Sequence, residues 1–152
     1  MKAALWMLLS VLLLSGCGES LTVEQQVIAT LRNMEAAAEN GEHFEFMGYV
    51  ADTFDAQNGE MDRRAFHRFM IFQMNQHRRL RSQLFPIRVN EISAELANAE
   101  FRVLVTGGGG LLPESGQLFD VVTQWVREGG DWMLNRAQWE AVYLPGQPAS
   151  RY

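Results

Sequence analysis

Trp125-Val126-Arg127-Glu128-Gly129-Gly130-Asp131-Trp132-Met133-Leu134 decides the fold, because two β-rich runs meet there across a Gly-Gly dipeptide. A two-residue hairpin turn that matches the twist of its strands needs positive φ at its central positions, which glycine adopts without a Cβ clash. The stretch therefore predicts a tight hairpin, with strands from Gln117 to Glu128 and from Asp131 to about Val142. The first of these carries bulk on both sides, Phe119, Val121 and Trp125 on one and Leu118, Val122 and Val126 on the other. A sheet apolar on both faces needs cover on both, so helices are expected on one face and a second copy of the chain on the other.

Upstream, the hydrophobic period changes at Pro86 from about 3.6 to 2. Ile87 to Ile92 reads as an edge strand, and Glu100 to Thr106 alternates Phe101, Val103 and Val105 against its neighbours. Before Pro86 the pattern is helical. Thr22-Val23-Glu24-Gln25 has the form of a capping box, followed by Val23, Val27, Leu31, Met34 and Ala38 on one face and a stop at Asn40-Gly41. A second helix is expected from about Phe44 to Phe54, with Met47, Val50 and Ala51 on its apolar side, and Asn58-Gly59 marks a turn. A third opens at Asp62 as N-cap and runs to about Ser82, with Phe66, Phe69, Met70, Met74 and His77 along one side. Its Phe69-Met70-Ile71-Phe72 segment is apolar nearly all round, which predicts burial on more than one side.

Three helices followed by antiparallel strands make an α+β domain. The order, together with the Trp125 to Leu134 hairpin, resembles the nuclear transport factor 2-like superfamily over about Thr22 to Val142. The segment Thr106 to Gln117, with its Gly107 to Gly110 run and Leu111-Leu112-Pro113, also looks like part of small lipoproteins with this fold. That resemblance implies three N-terminal helices packed on a strongly curved, mostly antiparallel sheet, forming a cone with a pocket. It implies no single activity, since the fold hosts enzymes, receptors and scaffolds alike.

The N-terminus carries a separate message. Lys2 precedes an apolar run from Ala3 to Leu14 broken only by Ser10, and Ser15 and Gly16 lead into Cys17, the single cysteine of the chain. A cation, a short apolar run and small residues make a secretory signal peptide, too short to span a bilayer permanently. Leu14-Ser15-Gly16-Cys17 resembles the lipobox of bacterial lipoproteins. The likeness implies that Cys17 is acylated and becomes the first residue of the mature chain, and that Gly18 after it directs sorting to the outer membrane, facing the periplasm. Several acyl chains make a firm anchor where one does not. The expected organisation is a signal peptide over 1–16, a lipidated tether over 17–21, the cone domain over 22–143 and a flexible tail over 144–152.

Loss of Met1 to Gly16 removes one cation and no acid, so the formal charge of −5 becomes −6. Such a domain is repelled by phosphate backbones, which argues against nucleic acid and leaves the acyl chains as the hold on the lipid bilayer. With one cysteine no internal disulfide forms. Metal binding has little support either, and no cofactor is expected. His67 and His77 are ten positions apart, about 15 Å on one helix, and His43 stands alone in the sequence. The glycine run lacks the Gly-Lys-Ser/Thr ending of a phosphate loop.

Ketosteroid isomerases of the resembled superfamily place a carboxylate base and acidic donors in an apolar cone. The candidate pocket residues here are Tyr49 and Asp52, three apart on the expected second helix, with His77, Gln124 and Arg136. Scytalone-dehydratase-like chemistry would need several histidines and tyrosines, of which His77 alone is suitably placed. Charge is also segregated: Glu35 to Asp62 holds eight acids and no cation, and Arg63 to Arg88 holds seven arginines and no acid. The blocks are expected to pair, with Arg64, Arg68 and Arg78 near the first helices; alternatively Arg78, Arg79, Arg81 and Arg88 form an anion-binding patch. The functional expectation is a membrane-anchored module that binds a small ligand or a protein. An isomerase, dehydratase or cyclase using the cone, and a dimeric envelope-assembly factor joined through the sheet face, are the alternatives.

Overall fold

Helix α1 (Val23–Asn40) begins where the capping box places it, in a computed structural model that describes residues 20–76, 80–107 and 115–143. Thr22 Oγ1 accepts from the Gln25 backbone N–H at 3.2 Å and Gln25 Oε1 accepts from the Thr22 N–H at 3.0 Å, so two otherwise orphaned donors are satisfied. The helix ends in a Schellman motif: Gly41 sits at φ 74°, its N–H donates to Ala38 O, and the Glu42 N–H donates to Ala37 O. The signal stretch with Cys17, together with His77, Arg78, Arg79, the Leu111-Leu112-Pro113 tip and the expected tail after Tyr143, falls outside the described residues.

Short helix α2 (His43–Gly48) is followed by strand β1 (Val50–Ala56) and the two-residue strand β2 (Met61–Asp62). The expected helix to Phe54 is therefore corrected. Val50, Ala51, Phe54 and Ala56 are all buried, because β1 is irregular where it pairs in parallel with the final strand. An irregular strand that turns adjacent residues inward reproduces helical spacing in the sequence, and pairing against an open sheet edge prevails over a weak local preference.

Helix α3 (Arg63–Gln76) is capped by Asp62, whose Oδ1 accepts from the Ala65 N–H at 2.7 Å. It stops short of Ser82. Strand β3 (Arg81–Ser93) begins before Pro86 and includes it. Pro86 lies in a register irregularity between Phe85 and Arg88 on the outermost strand, where a missing N–H costs no ladder bond. The expectation that the Phe69 to Phe72 segment is buried on more than one side is corrected too, since Phe69, Met70 and Ile71 are half-buried and Phe72 is 58% exposed.

Strands β4 (Leu96–Gly107), β5 (Ser115–Glu128) and β6 (Asp131–Val142) complete a curved six-stranded sheet of order β2-β1-β6-β5-β4-β3, antiparallel except between β1 and β6. Gly129 at φ 60° and Gly130 at φ 98° make the predicted turn, with Glu128 opposite Asp131. Asn135 is an extra residue on β6 between the Gln124–Arg136 and Trp125–Leu134 pairs, and such bulges bend a sheet. The helices cover the concave face. Val27, Leu31 and Met34 of α1 and Phe66 of α3 meet Ala97, Ala99, Trp125, Leu134 and Ala137 in one core.

The convex face is more polar than β5 alone suggests. Val122 is 51% exposed there, but the Arg102 Nε to Asp120 ion pair at 2.6 Å and the Arg136 to Asp55 pair at 3.1 Å share that surface.

Candidate functional site

The base of the cone is filled. Trp125 is fully buried, and its indole N–H donates to Thr123 Oγ1 at 2.9 Å, while the Thr123 hydroxyl donates to Ala99 O at 3.0 Å. Thr123 is the one buried polar residue among the described residues, and both its roles are satisfied. From this base an aromatic series rises along α3: Phe54 and Phe66 have ring centroids 4.6 Å apart, Phe66 and Phe69 6.4 Å, and Phe69 stacks on Trp139 at 5.6 Å.

Towards the ends of β4 and β6 the same concave face is only half-buried. Phe101, Val103 and Val105 continue the inward side of β4 beyond Ala97 and Ala99, and Val121 and Phe119 lie opposite Phe101 and Val103. Helix α1 lies along β3 and α3 along β1 and β2, with no substantial contact joining the two long helices. Phe69, Met70 and Met74 of α3 are likewise half-buried against this core. Among the described half-buried apolar residues packed against the core, Tyr49 alone is titratable. This half-buried surface presents rings and flexible thioethers.

Of the sequence-predicted pocket residues, His77 lies outside the described residues, and Tyr49, Asp52, Gln124 and Arg136 do not converge on one surface. Tyr49 caps α2 and packs on the core, its carbonyl accepting from the Leu134 N–H at 2.8 Å. Asp52 belongs to β1, its side chain is 98% exposed, and it lies 3.7 Å from Arg63 Nε, so it shares no helical face with Tyr49. Gln124 and Arg136 are cross-strand partners on the convex face. Arg136 is held by both oxygens of Asp55 at the side of a shallow depression of about 350 Å³ lined also by Asn58, Gly59 and Gln138. A residue's place along a strand is legible in sequence, but the face it takes depends on register, and the β6 bulge resets it.

The acidic and basic blocks do pair, through other residues than expected. Arg63 meets Asp52, and Arg81 Nη1 lies 3.3 Å from Glu39 Oε2. Glu39 Oε1 also accepts from the Ser82 N–H at 2.6 Å, pinning the end of α1 to the start of β3 beside a depression of about 340 Å³. Arg81 is thus engaged by an acid, and Arg88 sits opposite Glu100 in the register. A mixed surface replaces the arginine patch at these two positions.

Sequence reasoning missed one cluster. His43 on α2 and His67 on α3 meet with Nδ1 and Nε2 3.0 Å apart, and the Phe44 ring packs against both at centroid distances of 4.2 and 5.6 Å. Burial, His43 and Arg63 together hold the His67 pKa below its ordinary value. No sequence signal joins positions 24 residues apart on different elements. No group of three or more metal-ligating side chains occurs among the described residues.

No protein-family model matches the chain, and no curated protein is recognisably similar to it in sequence. Solved structures match its shape. Protein Bd1075 of Bdellovibrio bacteriovorus superposes with TM-score 0.67 at 8% identity over 78% of this chain, which spans only 40% of that longer protein. An NTF2-like protein of unknown function from Pseudomonas putida KT2440 gives 0.67 at 16% identity, covering 81% of this chain and 89% of the other. A candidate dehydratase of the NTF2-like family from Streptomyces avermitilis gives 0.67 at 18% identity, covering 79% and 96%. With the helices on the concave side of a bulged sheet and these superpositions, the chain has the nuclear transport factor 2-like fold.

Proposed function

We propose that this protein is a bacterial envelope lipoprotein, anchored in the outer membrane through acylated Cys17, whose cone is a binding module for a small apolar ligand. The carrying observation is the half-buried apolar surface of Phe69, Met70, Phe101, Val103 and Trp139, onto which none of Asp52, Gln124 and Arg136 is brought. Isomerase or dehydratase chemistry requires a positioned proton donor or acceptor within about 3 Å of the reacting atom, and Asp52, Gln124 and Arg136 lie outside this surface. Support for the anchor is the Leu14-Ser15-Gly16-Cys17 sequence, and Gly18 supports the outer-membrane destination.

Both parts are testable on the full chain expressed in a bacterium. Radiolabelled palmitate is expected to mark the wild type and not Cys17→Ala; label retained by the variant refutes the anchor. Detergent-extracted protein is expected to bind an apolar fluorescent probe with quenching of tryptophan emission, and Trp139→Ala to weaken that binding. A probe bound equally by wild type and variant refutes the placement of the site at the mouth.

A further inference from the structure

The His43–His67 contact joins the start of α2 to the middle of α3, and it is a shared-proton contact. The ring centroids are 5.2 Å apart and the facing nitrogens 3.0 Å, so the two nitrogens point at each other. Imidazole carries one proton on two nitrogens when neutral and two when charged, so one ring donates here and the other accepts. One added proton is tolerated on a non-facing nitrogen. When both rings are charged, each facing nitrogen carries a hydrogen, and the acceptor is lost.

We propose that the His43–His67 pair is an acid-operated latch between α2 and α3, closed while one proton is shared and released when each imidazole carries its own. The cations on the elements packed there favour release, and the carboxylates oppose it. On α3, Arg63 donates to Met47 O and Val50 O at 3.0 and 3.2 Å, fixing a positive charge at the joint, and Arg64 and Arg68 flank His67. Glu42 and Glu45 belong to the α2 segment, and Asp52 of β1 is engaged by Arg63 at 3.7 Å. The depressed pKa of His67, from burial first and then from His43 and Arg63, acts in the same direction. Arg63 beside the pair disfavours a metal cation as its occupant.

Release has a structural consequence. Phe44, 76% exposed, rests on the two imidazoles, and the buried Phe46 of the same helix lies 6.0 Å from Phe66 of α3. Loosening α2 uncovers that apolar contact at the side of the core.

The experiment is nuclear magnetic resonance of the full chain in detergent from pH 8 to pH 5, following the imidazole signals and the exchange of the Phe46 and Met47 amides. Two coupled titrations are expected, with the second proton held to lower pH, and α2 protection falling by up to about tenfold per pH unit across that second step after correction for intrinsic exchange. In His67→Gln and, separately, His43→Gln, the pH dependence of α2 protection is expected to vanish. Independent titration of both rings near the ordinary histidine pKa, α2 protection that ignores pH in the wild type, or a pH dependence that survives in both variants overturns the latch.

Discussion

Thr123→Val removes a hydroxyl from the base of the cone while keeping volume and branching, so its effect isolates hydrogen bonding from packing. The hydroxyl accepts from Trp125 Nε1 at 2.9 Å and donates to Ala99 O at 3.0 Å, with Thr123 4% and Trp125 0% exposed. Valine leaves the indole N–H without a partner in a site closed to water, and a buried unsatisfied donor costs about 1–3 kcal/mol. Ala99 O keeps a second lone pair, so its loss adds little. The expected destabilisation is about 2 kcal/mol, on the order of 4 °C of melting temperature for each kcal/mol. Urea unfolding followed by tryptophan emission measures it, and a double-mutant cycle with Trp125→Phe apportions it. Phenylalanine has no N–H to orphan, so Thr123→Val in that background is expected to cost under about 1 kcal/mol, giving a coupling of roughly 1–2 kcal/mol. A neutral or stabilising Thr123→Val, or costs that simply add in the cycle, refutes the account of how the concave face is held.

Phe69→Ala, which removes the ring stacked on Trp139 at 5.6 Å, is expected to weaken apolar-probe binding by about 1–2 kcal/mol, whereas Arg136→Ala on the convex face leaves it unchanged; fluorescence titration compares them. Thr22→Ala removes the hydroxyl that accepts from the Gln25 N–H, while the backbone N–H of residue 22 still donates to Gln25 Oε1, and is expected to cost about 1 kcal/mol in urea unfolding. Gly129→Val puts a β-branched residue at φ 60° in the hairpin turn, with an expected loss of about 1–2 kcal/mol by thermal melting. Because the folded chain holds the His67 pKa down, the unfolded chain binds the extra proton as pH falls below about 6.5. Stability is then lost towards acid, and urea midpoints at pH 7.5 and 5.5 are expected to differ more in the wild type than in His67→Gln.

Local chemistry explains which features were legible. The Gly129-Gly130 turn, the Thr22 capping box, the Gly41 stop and the Asp62 cap each depend on groups within a few residues of one another, so they stand in the sequence as they stand in the fold. Strand β4 followed from period-2 alternation, and β5 and β6 from the β-rich runs on either side of the Gly-Gly turn, for the same reason. The segment from Val50 to Ala56 was not legible as a strand. Its partner β6 lies some 80 residues away, and the irregular pairing turned its apolar residues inward at helix-like intervals. Pro86 misled because its cost depends on whether the strand is outermost, and only the sheet order decides that.

By itself the sequence determined the α+β class, the hairpin and helix caps, an acidic chain with one cysteine, and the lipobox-like approach to that cysteine. Tertiary structure alone decided which side of the sheet each polar residue occupies. It put Gln124 and Arg136 on the convex face, engaged Arg81 with Glu39, and left an apolar mouth on the concave one. It also brought His43 to His67 at 3.0 Å. The physical reason is common to all of these: strand register and helix docking are set by long-range pairing and core burial, and a one-residue bulge reverses which face a side chain takes without altering the composition that local patterns report.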